Sequence, residues 1–244
     1  MIPLDTFDMP NFLARFPMFR AMSTSELQRM AHACLIKRIA KGEMVFRVGD
    51  PCDAFHLVVS GEVKLYVSSD SGQEKVIEIA CGGQSFGEGL IFADKPFVLN
   101  AQALTDVVLV YVSKNGILHE ISKDTRFSVH VLAGISHRLH GMIKDVEDYA
   151  LRNGVQRLAR FLLRDVELNA DAKLNAIVVT LPASKATVAS RLSLTPEYFS
   201  RVLHELEAAR LIQIEKRDIY IKDVYALASF GAMQNLPKNQ INSK

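Results

Sequence analysis

The stretch Leu194-Thr-Pro-Glu-Tyr-Phe-Ser-Arg-Val-Leu-His-Glu-Leu206 carries both the start signal and the apolar stripe of one helix. Thr195 can cap it, because its hydroxyl accepts an orphan backbone N–H. Pro196 then falls at the first helical position, where its missing N–H costs nothing. Phe199, Val202, Leu203 and Leu206 recur at helical spacing and form one apolar face. Glu197, Ser200 and Arg201 lie at i, i+3 and i+4 on another face, near the helix N-terminus. There a recognition helix meets base edges. Arginine can grip guanine bidentately, glutamate can accept from a cytosine amine, and serine can serve either. The same residues also suit a solvated helix surface, so the surrounding chain has to decide between the two.

Upstream, Ser184 can cap a helix from Lys185 to Leu192, and the pair reads as a helix-turn-helix. Downstream, Leu211–Ile214 and Ile219–Ile221 are short strands bent at Lys216-Arg217-Asp218, a hairpin wing. Ala176–Leu181 reads as a further strand. Charge agrees with this placement. The chain carries a net charge of +2, but residues 1–124 hold 12 Lys/Arg against 15 Asp/Glu, whereas residues 125–244 hold 17 against 12. The basic excess lies on the half with the paired helices. Lys185, Arg191 and Lys216 are the expected phosphate contacts there, and Thr195, Glu197, Ser200 and Arg201 the expected base-reading end.

The segment before that half reads as one long helix, residues 125–151. Leu132, Ile135, Leu139, Met142, Val146 and Tyr149 are spaced 3, 4, 3, 4 and 3 apart, an a/d seam that fits two identical helices packed as a parallel coiled coil. Asn153-Gly154 interrupts the pattern and places a hinge near 150–154, with a helix from Val155 to Val166 beyond it. Residues 35–112 instead alternate like strands. The runs Ala54–Ser60, Glu62–Ser68, Lys75–Ala80 and Val107–Val112 are broken by Gly61, Asp70-Ser71-Gly72 and Gly82-Gly83, a pattern of antiparallel roll or barrel. Ser113 can cap a short helix through Ile121, and Ser23–Glu26 has the form of a capping box. The whole is α+β: an antiparallel β-roll domain over 1–124, a dimerisation helix over 125–152, a winged helix-turn-helix over 153–230, and a polar tail over 231–244, expected to be disordered.

Several classes are disfavoured. No run of 18 apolar residues exists, and residues 1–10 lack the basic n-region of a signal peptide. Cys34, Cys52 and Cys81 are odd in number and show no metal spacing, which suits free thiols in a reducing cytoplasm. No paired carboxylates, nucleophile motif or phosphate loop points to an enzyme.

A glycine-rich roll, a heptad helix and a winged helix-turn-helix, in that order, resemble the cAMP receptor protein and FNR superfamily of bacterial regulators over about residues 15–228. The segments that carry the likeness are Gly61-Glu-Val-Lys-Leu-Tyr, Gly82-Gly-Gln-Ser-Phe-Gly-Glu88 and Thr195–Leu206. The resemblance implies promoter DNA, a second copy of the chain and RNA polymerase as partners. In the cyclic-nucleotide branch an Arg-Ser pair follows the Gly-Glu motif and holds the cyclic phosphate. Here Phe97-Val98 stands at that place, and Met142-Ile143 stands where that branch offers Thr-Ser to adenine. The resemblance therefore implies a pocket without cAMP, lined by Leu90, Phe97, Val98, Leu139, Met142 and Ile143, with Glu88 kept for its turn. The oxygen-sensing branch's N-terminal cysteine cluster is also missing. Pro196–Arg201 and Leu90–Val98 most resemble the Dnr-type regulators of denitrification, which respond to nitric oxide through haem. His56, His137 and His140 lie in elements that could border the pocket.

Overall fold

Val63 and Leu65 are buried on one strand while Glu62 before them and Lys64 between them are not, so the alternation of this run is realised as a half-buried strand. The period then breaks. A register shift between Leu65 and Tyr66 turns Tyr66 inward and leaves Val67, which strict alternation would bury, exposed. The computed structural model describes residues 7–164 and 177–233. It divides into two compact units, Met1–Ile143 and Lys144–Lys244.

The first unit opens with α1 (Met9–Leu13) and α2 (Thr24–His32). The capping box at Ser23 is formed: Ser23 Oγ accepts from Glu26 N, and Glu26 Oε2 accepts from Ser23 N at 2.6 Å. Strands β1 (Cys34–Ile39), β2 (Met44–Phe46), β3 (Ala54–Ser60), β4 (Glu62–Ser68), β5 (Glu74–Cys81), β6 (Ser85–Phe86), β7 (Asn100–Ala103) and β8 (Val107–Ser113) follow. They form two four-stranded antiparallel sheets, β1-β8-β3-β6 and β2-β7-β4-β5. Gly61, at the turn between β3 and β4, has φ +88, and a Cβ there would lie 2.5 Å from the Asp106 carbonyl oxygen. Only glycine fits that approach. Phe19, Phe55, Leu57, Phe86 and Leu109 fill the core.

Two helices close the unit. In α3 (Lys114–Lys123), Ser113 stands at the cap position, but its side chain makes no capping bond, and the helix runs two residues past the expected Ile121. Arg29 of α2 grips the Glu120 carboxylate of α3 bidentately, at 3.0 and 2.8 Å. That pair holds the Glu120 carboxyl below its ordinary range. Helix α4 (Thr125–Leu151) lays Phe127 and Val131 into the roll core, with Ile135 packed against it.

The second unit takes the end of α4 with α5 (Gly154–Leu162), β9 (Ile177–Thr180), α6 (Lys185–Arg191), α7 (Pro196–Ala208), β10 (Ile212–Glu215), β11 (Asp218–Ile221) and α8 (Val224–Met233). The division thus falls inside α4, before the hinge expected near 150–154. Asn153 caps α5 reciprocally with Gln156, at 2.9 and 3.0 Å. The three-stranded sheet runs β10-β11-β9, all antiparallel. Helix α8 continues through Gly231, where the tail was expected to begin. Helix α5 ends at Leu162, short of the expected Val166; Asp165 and Val166, Ala176 and residues 234–244 of the expected helix, strand and tail lie outside the described residues.

His56 is the roll's least ordinary core residue. It is 2% exposed, stacked on Phe86 with centroids 4.9 Å apart and edge-on to Tyr111 at 4.4 Å. Its Nδ1 has no hydrogen-bond partner among the described residues. Burial, aided by Lys37, pulls its pKa down to about 3 from 6.5. The folded chain therefore keeps His56 neutral where the unfolded chain protonates it. Stability from this group is complete above the unfolded value. It falls by about 1.4 kcal/mol per pH unit below that value, until the folded pKa is reached. Denaturant titrations between pH 7 and pH 4 should show a shallower loss of stability for His56→Phe than for the natural chain. Equal slopes would mean that His56 is not buried neutral.

Candidate nucleic-acid interface

Helix α7 is built as its sequence requires. Thr195 Oγ1 accepts from Tyr198 N at 3.2 Å, Pro196 occupies the first turn, and Phe199, Val202, Leu203 and Leu206 are buried. Burying four such side chains supplies several kcal/mol toward holding the helix in place. The turn from α6 depends on Ser193 at φ +54 and on a bond from Leu194 N to the Ala189 carbonyl at 2.9 Å. On the other face Glu197 and Arg201 are exposed and Ser200 is half-buried. The Arg201 guanidinium lies 4.8 Å from the centroid of the Tyr198 ring. A carboxylate, a hydroxyl and a guanidinium on one exposed helical face can read base edges.

The basic residues around α7 divide into two kinds. Lys185, at the start of α6, and Lys216, in the wing bend at φ +58, are exposed as phosphate contacts should be. Arg191 is not: its side chain is 12% exposed and its Nη2 meets Asp145 Oδ2 at 2.7 Å. Arg191 also donates to the Tyr149 hydroxyl, which donates in turn to the Arg191 carbonyl at 2.8 Å. The expected phosphate contact is a clamp between α4 and α6. Arg217, which sequence reasoning did not single out, donates from Nε and Nη2 to the Leu181 carbonyl at 2.9 and 2.7 Å, fastening the wing to the chain just past β9.

The residues expected to line the effector pocket part company. Phe97 stacks flat on Phe46, 3.6 Å between centroids, inside the roll core. Leu90 packs partly buried against the same core, whereas Val98, Leu139, Met142 and Ile143 are exposed. The junction of roll and α4 is not purely apolar, as expected, but charged. Arg138 Nη1 donates to the Ser85 carbonyl at 2.6 Å and meets Glu88 Oε1 at 3.3 Å, while Nη2 binds Glu78. Ser85 Oγ donates to Glu88 Oε1 at 2.8 Å. Glu88 is 4% exposed, and its Oε2 has no partner. Glu88 thus does more than shape a turn. Sequence alone could have flagged only that Arg138 sits inside an apolar helical stripe, without saying which carboxylates it meets.

Burial pushes the Cys34 thiol up to about 12, and its Sγ donates to the Met30 carbonyl at 3.3 Å, so it stays protonated. Among the described residues no His, Cys, Asp and Glu side chains are grouped to hold a metal ion. No helix of the described residues is long and apolar enough to cross a membrane.

A sensor roll followed by a winged helix-turn-helix defines a class, and comparison with known proteins names it. The family "Cyclic nucleotide-binding domain" matches residues 36–124, and "Crp-like helix-turn-helix domain" matches residues 156–230. The crystal structure of DNR from Pseudomonas aeruginosa is 33% identical, with a TM-score of 0.51, over 94% of this chain and 100% of that one. The CRP-like cAMP-activated global transcriptional regulator of Mycobacterium tuberculosis is 23% identical, over 90% of this chain and 98% of that protein. FixK2 from Bradyrhizobium japonicum, at 19% identity and a TM-score of 0.69, covers 80% of this chain and 96% of that one and shares its fold. The chain belongs to the Crp/Fnr family and is a DNA-binding transcription regulator of that type.

The division of the basic residues is measurable. Lys185→Ala and Lys216→Ala should each flatten the salt dependence of DNA binding by about one unit of slope. Arg191→Ala should leave that slope unchanged and lower unfolding stability by about 1.5–3 kcal/mol, the loss of a charged hydrogen bond. A flattened slope for Arg191→Ala would return it to the phosphate contacts.

Proposed function

We propose that the chain works as a homodimer joined along α4, reading a palindrome with two α7 helices and gated by an effector other than cAMP. The observation that carries the dimer is the apolar stripe on α4. Val129, Leu132, Leu139, Met142, Ile143 and Val146 are 47–64% exposed. The seam is shifted from the one expected, because Ile135 packs into the roll core and Tyr149 bonds Arg191. Val129, Leu132, Ser136, Leu139, Ile143 and Val146 keep the 3-4 spacing on the exposed side, which a second α4 can cover knobs-into-holes. Leu139→Asp places two charges in that seam, and sedimentation should then show a monomer. An unchanged dimer would move the interface elsewhere.

Symmetric recognition helices require half-sites about one turn apart, roughly 34 Å. The face Glu197, Ser200, Arg201 resembles the pattern of the FNR and Dnr branches, which read TTGAT, whereas the cyclic-nucleotide branch has Arg where Pro196 stands and Gly where Ser200 stands and reads TGTGA. In this reading Arg201 grips the guanine, Glu197 a cytosine amine on the other strand, and Ser200 makes the contact that separates the two codes. TTGAT-N4-ATCAA should compete better than a TGTGA palindrome in a gel-shift, and Arg201→Ala should weaken binding by about 1–3 kcal/mol per half-site. Stronger competition by TGTGA would overturn the assignment. RNA polymerase is the partner at the promoter, and the cytoplasm is the compartment this function implies.

Two observations support an effector without a phosphodiester. Phe97 and Val98 replace the phosphate clamp, and the nearby Arg138 already pairs with Glu78 and Glu88, so an entering anion would have to compete with two carboxylates for it. Haem, with nitric oxide as its signal, is the effector that the Dnr resemblance implies. Val98 and Met142, which lie off the seam, offer it apolar surface. The site is incomplete, however: His56, the imidazole with the buried unpaired nitrogen, is walled in by Phe86, Tyr111 and Phe46, and His137 and His140 lie exposed on α4. Haem binding would have to recruit one of those two or move the roll. Titration of the purified chain should give a stoichiometric Soret band that shifts with nitric oxide, and a flat titration would remove haem.

A further inference from the structure

Tyr198 lies between the first residue of α5 and the arginine that faces the bases. Its ring is three residues before Arg201 on α7, and the Arg201 guanidinium carbon sits 4.8 Å from the ring centroid. The ring also lies close against Gly154. A Cβ on Gly154 would come within 2.4 Å of Tyr198 Cε1 and 2.9 Å of Cζ, and 3.0 Å of Leu194 Cδ2. Gly154 is buried, and its φ is not in the left-handed region, so its backbone does not need glycine. The missing side chain makes room for the ring. Asn153 fixes the glycine by capping α5 reciprocally with Gln156, and the Thr195 hydroxyl fixes the tyrosine backbone.

We infer that Tyr198 is a positioning residue for guanine recognition by Arg201, and that Gly154 is the floor that sets where its ring stands. An arginine side chain carries about 2 kcal/mol of rotamer entropy, much of which must be given up when its fork aligns on a base. Holding the guanidinium over the ring before DNA arrives removes part of that loss. An unpinned Arg201 would reach phosphates as readily as guanine. Tyr198 therefore acts on specificity more than on overall affinity. The inference rests on Arg201 as the guanine reader.

The experiment uses the full chain with two palindromes in competition anisotropy, one with TTGAT half-sites and one with TTAAT half-sites. Their affinity ratio measures guanine preference, and thermal melts confirm that each variant is folded. Tyr198→Ala should lower the preference about 2- to 5-fold per half-site, the range of an exposed cation–π contact, while Tyr198→Phe retains it. Gly154→Ala should lower it similarly by displacing the ring. Added to Tyr198→Ala it should lower the preference much less than it does in the natural chain, because the ring it strikes hardest is gone and only the milder approach to Leu194 Cδ2 remains. Full preference in Tyr198→Ala, or a Phe variant as poor as the Ala variant, would overturn the inference. Arg201→Ala separates the two levels. If it abolishes the preference while Tyr198→Ala leaves it intact, only the positioning role fails. If it leaves the preference intact, the reading of Arg201 fails, and the inference fails with it.

Discussion

The apolar stripe of α4 is unfavourable for as long as it faces water. Covering one leucine or isoleucine contributes about 1.5–3 kcal/mol, and five large aliphatic side chains of the stripe besides Met142 are roughly half exposed or more. A second α4 is the proposed cover, and much of the remaining design can be traced to keeping that helix available. The opposite side of its N-terminal half is already used: Phe127, Val131 and Ile135 face the roll, and Arg138 spans Ser85, Glu78 and Glu88. Near its C-terminal end Asp145 and Tyr149 hold Arg191 of α6. One helix therefore carries contacts to the sensor roll, the proposed seam and contacts to the DNA-reading unit.

Arg138 and Arg191 show how a charged residue can be structural on such a helix system. Each is largely removed from water and each meets carboxylate; Arg138 also donates to the Ser85 carbonyl, and Arg191 to the Tyr149 hydroxyl. Truncating one partner of such a pair leaves the other uncompensated, which is costlier than losing an exposed ion pair. The Arg138 cluster also bears on effector chemistry. Glu88 Oε2 is buried without a partner among the described residues, so the roll–α4 junction has hydrogen-bonding capacity in hand, while its Arg138 is already paired with two carboxylates. An effector that brings a donor is accommodated there more readily than one that brings a phosphate.

The parts of the fold that were legible in the sequence are those whose signals are local. The Thr195 cap, Pro196 and the α7 stripe lie within a dozen residues, and β4 shows its alternation up to the bulge at Leu65 and Tyr66. The parts that were not legible depend on long-range partners. Residues 87–99 contain no strand, so no period says that Phe97 turns in to Phe46 while Val98 turns out. Periodicity gives the spacing of the α4 seam but not its phase, and Ile135 and Tyr149 were claimed by the chain's own roll and its own α6. Arg191 looks like any basic residue beside a recognition helix until Asp145, 46 positions earlier, is placed against it. Tyr198 was passed over because its role depends on the absence of a side chain at Gly154.

The central claim is that two chains, joined through α4, read one palindrome together. Native mass measurement of the complex on a TTGAT-N4-ATCAA duplex and on a duplex with a single half-site tests it most directly. The account requires two chains per full palindrome with no one-chain complex accumulating, and much weaker binding to the single half-site. One chain per duplex, bound as tightly to the half-site as to the palindrome, would contradict it.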